Sequence, residues 1–188
     1  MKKIILNIFL LIISFVANGQ NFGFKVGIND SYLWGDDFKD PRPGIQFGMI
    51  FRYNISETFS SQYEFTYSVE GFKDHDFTVR LNYLNIPILF KYHTSKFSFF
   101  GGPQVSILLN GSTDPAIISD EDIKTLFQKG KLGLVLGISY EIIKDLEIDF
   151  RYANSIHNVY DRQVAGDIWY TSGLINFSFS YWIPGKQF

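Results

Sequence analysis

Eight times along this chain, apolar and polar side chains alternate one by one over about ten residues, and no other feature limits its fold as much. Phe22, Phe24, Val26 and Ile28 alternate with Gly23, Lys25, Gly27 and Asn29 in the first segment. Ile45, Phe47, Met49, Phe51 and Tyr53 do so with Gln46, Gly48, Arg52 and Asn54 in the second, with Ile50 out of phase. The third sets Phe59, Tyr63, Phe65, Tyr67 and Val69 against Gln62, Glu64, Thr66, Ser68 and Glu70. The fourth carries Leu84, Ile86, Ile88, Phe90 and Tyr92 on one face, and the fifth carries Phe97, Phe99, Val105, Ile107 and Leu109. Leu132, Leu134, Leu136, Ile138 and Tyr140 mark the sixth, Leu146, Ile148, Phe150 and Tyr152 the seventh, and Ile175, Phe177, Phe179 and Tyr181 the eighth. A period of two places successive side chains on opposite faces of a strand, so each segment predicts a strand with one apolar and one polar face.

Which face is inside follows from what the polar face holds. It is rich in Gly, Ser, Asn and Gln, and small residues suit a narrow, crowded interior. Its charges are Lys25, Arg52, Lys91, Lys131 and Arg151 against Glu64, Glu70, Glu141, Glu147 and Asp149. Equal numbers of each sign are what buried charges need, since an unpaired one costs desolvation without return. The apolar face is almost free of charge over all eight strands, which suits lipid. A soluble barrel or sandwich would pack that face inward and could expose any charge outward; it is the rival structure. A membrane-embedded sheet has to close on itself, because lipid cannot satisfy an open edge. The prediction is an all-β chain: an eight-stranded antiparallel up-and-down transmembrane barrel, with about ten residues per strand.

The connections alternate in length as such a barrel requires. Residues 54–58, 93–96 and 142–145 are tight turns, whereas 34–42, 71–78, 110–130 and 155–168 are longer and polar. Short turns on one side and long loops on the other put both termini at the turn side. Tyr53, Tyr92, Tyr140 and Tyr181 fall at the turn-side ends of four strands on the apolar face, with Phe59 and Phe97 at the same level. That is the place of an interface belt, where an amphipathic ring sits among headgroups. Pairing across the 93–96 turn with Phe90 opposite Phe99 keeps the two apolar sets on one face. In that register Pro87 faces Gly102 and Pro103 faces Ile86, which predicts one local bulge or bend.

The first residues read as an address, not as part of the fold. Met1-Lys2-Lys3 is basic, residues 4–16 are apolar apart from Asn7 and Ser14, and Ala17-Asn18-Gly19 supplies the small residues of a cleavage site. The apolar run is shorter than the roughly 20 residues of an anchor helix. Residues 1–19 are therefore expected to be a signal peptide and residues 20–188 an outer-membrane barrel domain. Basic and acidic side chains number 17 and 19, which argues against a nucleic-acid partner, since that normally needs a basic face. There is no cysteine for a disulfide framework, a lipid-anchored thiol or a thiolate metal site.

The stretch Leu81-Asn82-Tyr83-Leu84-Asn85-Ile86-Pro87-Ile88-Leu89-Phe90-Lys91-Tyr92, followed by Phe99-Phe100-Gly101-Gly102-Pro103-Gln104-Val105-Ser106, resembles the PorT-type outer-membrane β-barrel family of Bacteroidota. That family's pattern is a Tyr-Leu-x-Ile-Pro strand ending Lys-Tyr and then a Gly-Pro strand. Phe24-Lys25-Val26-Gly27-Ile28-Asn29, residues 134–141 and Arg151-Tyr152 fit it too. Its closing aromatic would be Tyr181 or Trp182, with Ile183–Phe188 as an additional tail. The resemblance implies a small barrel; the secretion-system task of the founding member is not implied with it.

Chemistry-bearing constellations are thin. Asp74-His75-Asp76 could touch a cation, but three adjacent residues rarely converge on one metal. His157 with Asp161 or Ser155 is the nearest approach to a nucleophile–base pair, and no spacing motif supports it. His93 falls in a tight turn. Ser119 with Asp122 predicts a short capped helix ended by Gly130, with Ile123, Leu126 and Phe127 as an apolar stripe that folds back on the barrel rim or, alternatively, binds a partner or plugs the barrel. No catalytic residue, cofactor or metal is expected. The expected function is that of an outer-membrane structural or interaction protein acting through its external loops, with outer-membrane lipid and a surface or secretion-system protein as partners. The alternatives are a narrow transport or lipid-handling barrel, or a secretion-associated accessory; a lipid-modifying barrel enzyme is the weakest. Because a barrel of eight strands leaves room inside only for side chains, a general porin is excluded.

Overall fold

The computed structural model describes residues 21–35, 39–73, 77–116, 119–160 and 170–183; the expected signal peptide, Asp36-Asp37, Asp74-His75-Asp76, Asp161 and the tail after Ile183 lie outside them. The elements follow as β1 (Asn21–Trp34), β2 (Lys39–Asn54), β3 (Phe59–Lys73), β4 (Thr78–His93), β5 (Phe97–Asp114), α1 (Asp120–Leu126), β6 (Gly130–Ile143), β7 (Leu146–Ser155) and β8 (Thr171–Ile183). All eight strands pair with their sequence neighbours, and β1 also pairs antiparallel with β8, so the sheet closes into a barrel without an edge. Closure satisfies the ladder groups of every strand, and only then can the wall face a medium without hydrogen-bonding capacity.

The two faces separate as the alternation predicts. Phe24, Val26 and Ile28 are exposed outward while Lys25 and Asn29 are buried inward; Leu132, Leu134 and Leu136 are exposed outward while Lys131, Val135 and Ser139 are buried. Ile50, the residue out of phase in β2, points inward and is fully buried beside Gly23. In β2, β4 and β6 the outward apolar run covers Ile45–Tyr53, Leu84–Tyr92 and Leu132–Tyr140. Each is about nine residues long, the span of a tilted strand through hydrocarbon.

The strands do not stop where that band stops. β1 to β5 run on toward the loop side through segments assigned to loops from the sequence, and there the polarity of the faces reverses. In β4, Thr78, Arg80 and Asn82 lie on the outward face while Val79, Leu81 and Tyr83 are buried inward. Leu33 of β1, Phe72 of β3 and Leu108 of β5 are likewise buried inward. An apolar-in, polar-out wall is what water requires, so the reversal marks where lipid ends on the loop side. A bulge between Asn82 and Tyr83, with Leu109 as the additional residue of β5, lies at this boundary.

Two details of the β4–β5 hairpin differ from expectation. Thr94 donates its N–H to the Phe97 carbonyl (2.8 Å), closing a two-residue turn, and Phe90 pairs with Gly101, Tyr92 with Phe99 and Pro87 with Gln104. The register is displaced by two residues from the expected one. An even displacement keeps every side chain on its face, so face polarity alone could not detect it. The prolines do interrupt pairing, Pro103 in the β4–β5 ladder between Pro87–Gln104 and Phe90–Gly101 and Pro87 in the β3–β4 ladder between Tyr63–Ile88 and Thr66–Asn85, but the register is the same on both sides of each gap. A gap stands where a bulge was expected, because Pro103 lacks the N–H to donate.

Candidate functional site

The lumen is where the chain concentrates its charge. Seven side chains form one path of alternating sign. Arg52 holds Glu147 with both terminal nitrogens (2.7 and 2.8 Å), Glu147 accepts from Lys91 (3.0 Å), and Lys91 lies 3.9 Å from Asp149. Asp149 pairs with Lys25 (3.0 Å), Lys25 with Glu64 (2.8 Å), and Glu64 takes Arg151 through two bonds of 2.8 and 3.0 Å. These groups come from β1, β2, β3, β4 and β7, so the pairs staple opposite walls across the interior. Neutral groups complete the acceptors. Ser139 and Ser180 donate to Asp149 (2.6 Å each), and Gln62 donates to Glu64 (2.6 Å). A second, separate pair, Lys131 with Glu70 at 2.6 Å, lies nearer the loop side, where Asn85 also donates to Glu70 (2.9 Å).

Apolar groups close the lumen above and beside these pairs. Leu89, Phe100, Val135, Ala153 and Leu174 form one inward cluster. At the turn-side end, the Arg52 guanidinium lies 4.0 Å from the centre of the buried Trp182 ring. At the loop-side end, Ile123 and Phe127 from the α1 segment and Val159 fill the mouth formed by Leu33, Phe72, Val79, Leu81, Tyr83 and Leu108. A backbone bond from Leu108 N–H to the Lys129 carbonyl ties this plug to the wall, and one from Gln128 N–H to the Val159 carbonyl joins its two segments, both 2.9 Å. Between the tiers, two cavities of about 10 Å³ lie beside Glu70, one with Lys131 and Ser106, the other with Tyr83 and Phe72. Each has room for about one water.

Of the ten charges expected in the lumen, nine are buried inside, and Glu141 is a correction. It has inward parity but lies exposed at the turn-side rim, next to the irregularity between Glu141 and Ile143. A charge at the end of a strand can reach water and has no need of a partner. Tyr53, Tyr92, Tyr140 and Tyr181 stand on the outward face at the turn-side ends, 36% to 54% accessible. Phe59 lies 5.0 Å from the Tyr92 ring and Phe97 4.9 Å from the Tyr140 ring. His157 and Ser155 are not a nucleophile–base pair: His157 Nε2 accepts from the Leu132 N–H (2.8 Å), and the Ser155 hydroxyl donates to the His157 carbonyl (3.3 Å). His93 sits between the hydroxyls of Ser60 (2.7 Å) and Ser98 (2.8 Å). Among the described residues no group of three or more His, Cys, Asp or Glu could hold a metal ion.

The loop-three helix begins as expected, with the Ser119 hydroxyl accepting from the Asp122 N–H (3.2 Å). It ends earlier, at Leu126, because Phe127 turns extended and bridges to Tyr160 before Gly130 is reached. Its apolar stripe takes the plug role, the alternative to a helix folded back on the rim; the inward apolar wall that receives it was missed. Its signal is present in Val79-Arg80-Leu81-Asn82-Tyr83, an alternation in the opposite phase to the strand that follows. Replacing Ile123, 1% accessible, by aspartate is expected to release the plug and leave the barrel intact. The check is limited proteolysis of the folded protein: new cleavage near residues 119–130 with an unchanged heat-sensitive gel shift is expected, and undiminished protection would refute the role.

Comparisons agree with this architecture. The barrel is similar to the attachment invasion locus protein Ail of Yersinia pestis, solved with the heparin analogue sucrose octasulfate (15% identity, TM-score 0.56, covering 87% of this chain and 99% of that one). It is equally similar to Neisserial surface protein A (15% identity, TM-score 0.59, covering 87% and 99%). At such identities the likeness is one of fold. Among curated protein sequences none matches. Residues 14–161 match the family described as outer membrane protein beta-barrel domain. With an apolar wall of bilayer height, a polar ion-paired interior and this match over most of its length, the chain belongs to the outer-membrane β-barrel family.

Proposed function

We propose that this protein is a non-conducting outer-membrane barrel that serves as a structural and docking protein through its loop-side end. The observation that supports this is the tiered blocking of the lumen: the Arg52–Trp182 contact, the ion-pair path, and the apolar plug of Ile123, Phe127 and Val159. A transport route would need a continuous polar path, and the two cavities beside Glu70 have room for about one water each. In this reading the ion pairs are structural, the turn-side tyrosines anchor the wall at the headgroups, and residues 1–19 direct export. A surface or secretion-system protein is the partner class this reading assigns to the loop-side end.

The chemistry of that partner is narrowed by charge. The loop-side segments 34–42, 71–78, 110–130 and 155–168 carry eleven acidic against six basic side chains, a net negative charge. Such a rim repels sulfated polyanions, so a heparin-like ligand of the kind seen with Ail is not expected here. Planar-bilayer recording of the purified protein is the test. Silence at moderate voltage is expected; steady, reproducible single-channel steps would overturn the non-conducting reading and favour the narrow transport alternative.

A further inference from the structure

The ion-pair path in the lumen begins and ends with a guanidinium. Arg52, Lys91, Lys25 and Arg151 alternate with Glu147, Asp149 and Glu64, so four cations share three anions. Glu141, the residue that would have balanced them, lies exposed at the rim. The separate Lys131–Glu70 pair is neutral by itself and lends no charge to the path. An excess buried cation is costly in an interior surrounded by lipid unless something offsets it.

Two observations locate the offset at the turn-side end. Solvent reaches the path only weakly, and most at that end: the Arg52 and Glu147 side chains are 10% and 9% accessible, against 0% for Lys25, Lys91, Glu64 and Asp149. Two side chains that each bury one donor without a hydrogen-bond partner also stack there. Arg52 spends both terminal nitrogens on Glu147 and leaves Nε–H unused, while the Trp182 indole N–H is likewise unpartnered and its ring lies 4.0 Å from the guanidinium. Unpaired donors beside surplus positive charge form the complement of a small anion.

We propose that the turn-side mouth of the barrel binds one small inorganic anion, chloride in size and charge, at the edge of the stacked Arg52 and Trp182 side chains. The ion neutralises the surplus cation of the path and takes the two unused N–H groups. It enters from the turn side, where Arg52 is reached by water.

Folded full-length mature protein in detergent carries the test, with chloride as the probe and gluconate as the replacement at matched ionic strength. Chloride is expected to raise the thermal midpoint in a saturable way, and bromide to do the same. An anomalous bromide peak beside Arg52 and Trp182 is expected in crystals. Trp182→Phe keeps the ring and removes the N–H, and should weaken half-saturation about tenfold, the worth of one charge-assisted hydrogen bond. Lys91→Met removes the surplus cation and leaves two neutral groups, Arg52–Glu147 and Lys25–Asp149–Glu64–Arg151, so it should fold and lose the chloride response. Equal midpoints in chloride and gluconate, or bromide density only on the surface, would mean that water alone fills the place and overturn the proposal. A chloride response that persists undiminished in Lys91→Met would overturn it as well.

Discussion

Glu64→Ala is expected to destabilise the barrel by about 3–5 kcal/mol, the cost of leaving buried charge without its partner. Glu64 is fully buried and holds Arg151 through two bonds, Lys25 at 2.8 Å and the Gln62 amide. Its removal leaves Arg151 with only the distant Asp149, 3.9 Å away, and four cations with two anions on the path. Glu141→Ala provides the contrast. On composition alone the two glutamates are equivalent members of one charge set, yet Glu141 is exposed at the rim, and its loss should stay within about 0.5 kcal/mol. Urea titration of the lipid-folded protein reads both, with the heat-sensitive gel shift as a check on folding. Similar midpoints for the two variants would remove the ion-pair path as a source of stability.

The second large effect concerns the wall. Leu136→Arg places a charge on the outward face of β6 in the middle of the apolar band, at a residue 66% accessible to its surroundings. In lipid this is expected to cost about 2–4 kcal/mol. The same substitution at Thr78, on the outward face of β4 opposite Asp114, falls on the loop side of the polarity reversal. There the arginine meets water and a carboxylate, and the change should lie within about 0.5 kcal/mol. Measured in lipid vesicles by the same titration, a comparable loss at both positions would place the bilayer boundary elsewhere and undo the reversal as its marker. In detergent-free aqueous buffer neither variant is expected to remain dispersed, since the apolar band stays uncovered.

How far the sequence carries depends on which physical rule a residue obeys. Strand number, antiparallel order and the direction of each face follow from local alternation, and Lys25, Glu64, Asp149 and Arg151 could be assigned inward on parity alone. Ile50 shows the same rule from the other side: its place out of phase in β2 already identifies it as an inward apolar residue. The register of the β4–β5 hairpin was not accessible in this way. Phe90 opposite Phe99 and Phe90 opposite Gly101 keep the same faces, and only the two-residue turn closed by Thr94 and Phe97 distinguishes them.

The loop side divides similarly. The cap at Ser119 was readable because it rests on two residues three apart. The end of the helix was not, because Phe127 leaves it to pair with Tyr160, more than thirty residues away. Val79, Leu81 and Leu108 were assigned to no core, although their spacing was visible, since their phase has meaning only once the membrane boundary is known.

By itself, then, the sequence determined an eight-stranded closed wall with an apolar outside and a charged inside, because alternation is a local property and closure follows from having no edge to spare. Only the tertiary structure decided which charges meet, that Glu141 stands apart from them, and that the loop-side mouth is plugged. Those outcomes depend on distances across the lumen between β1 to β4 and β7, and on segments brought together from far along the chain. No periodicity within one strand encodes them.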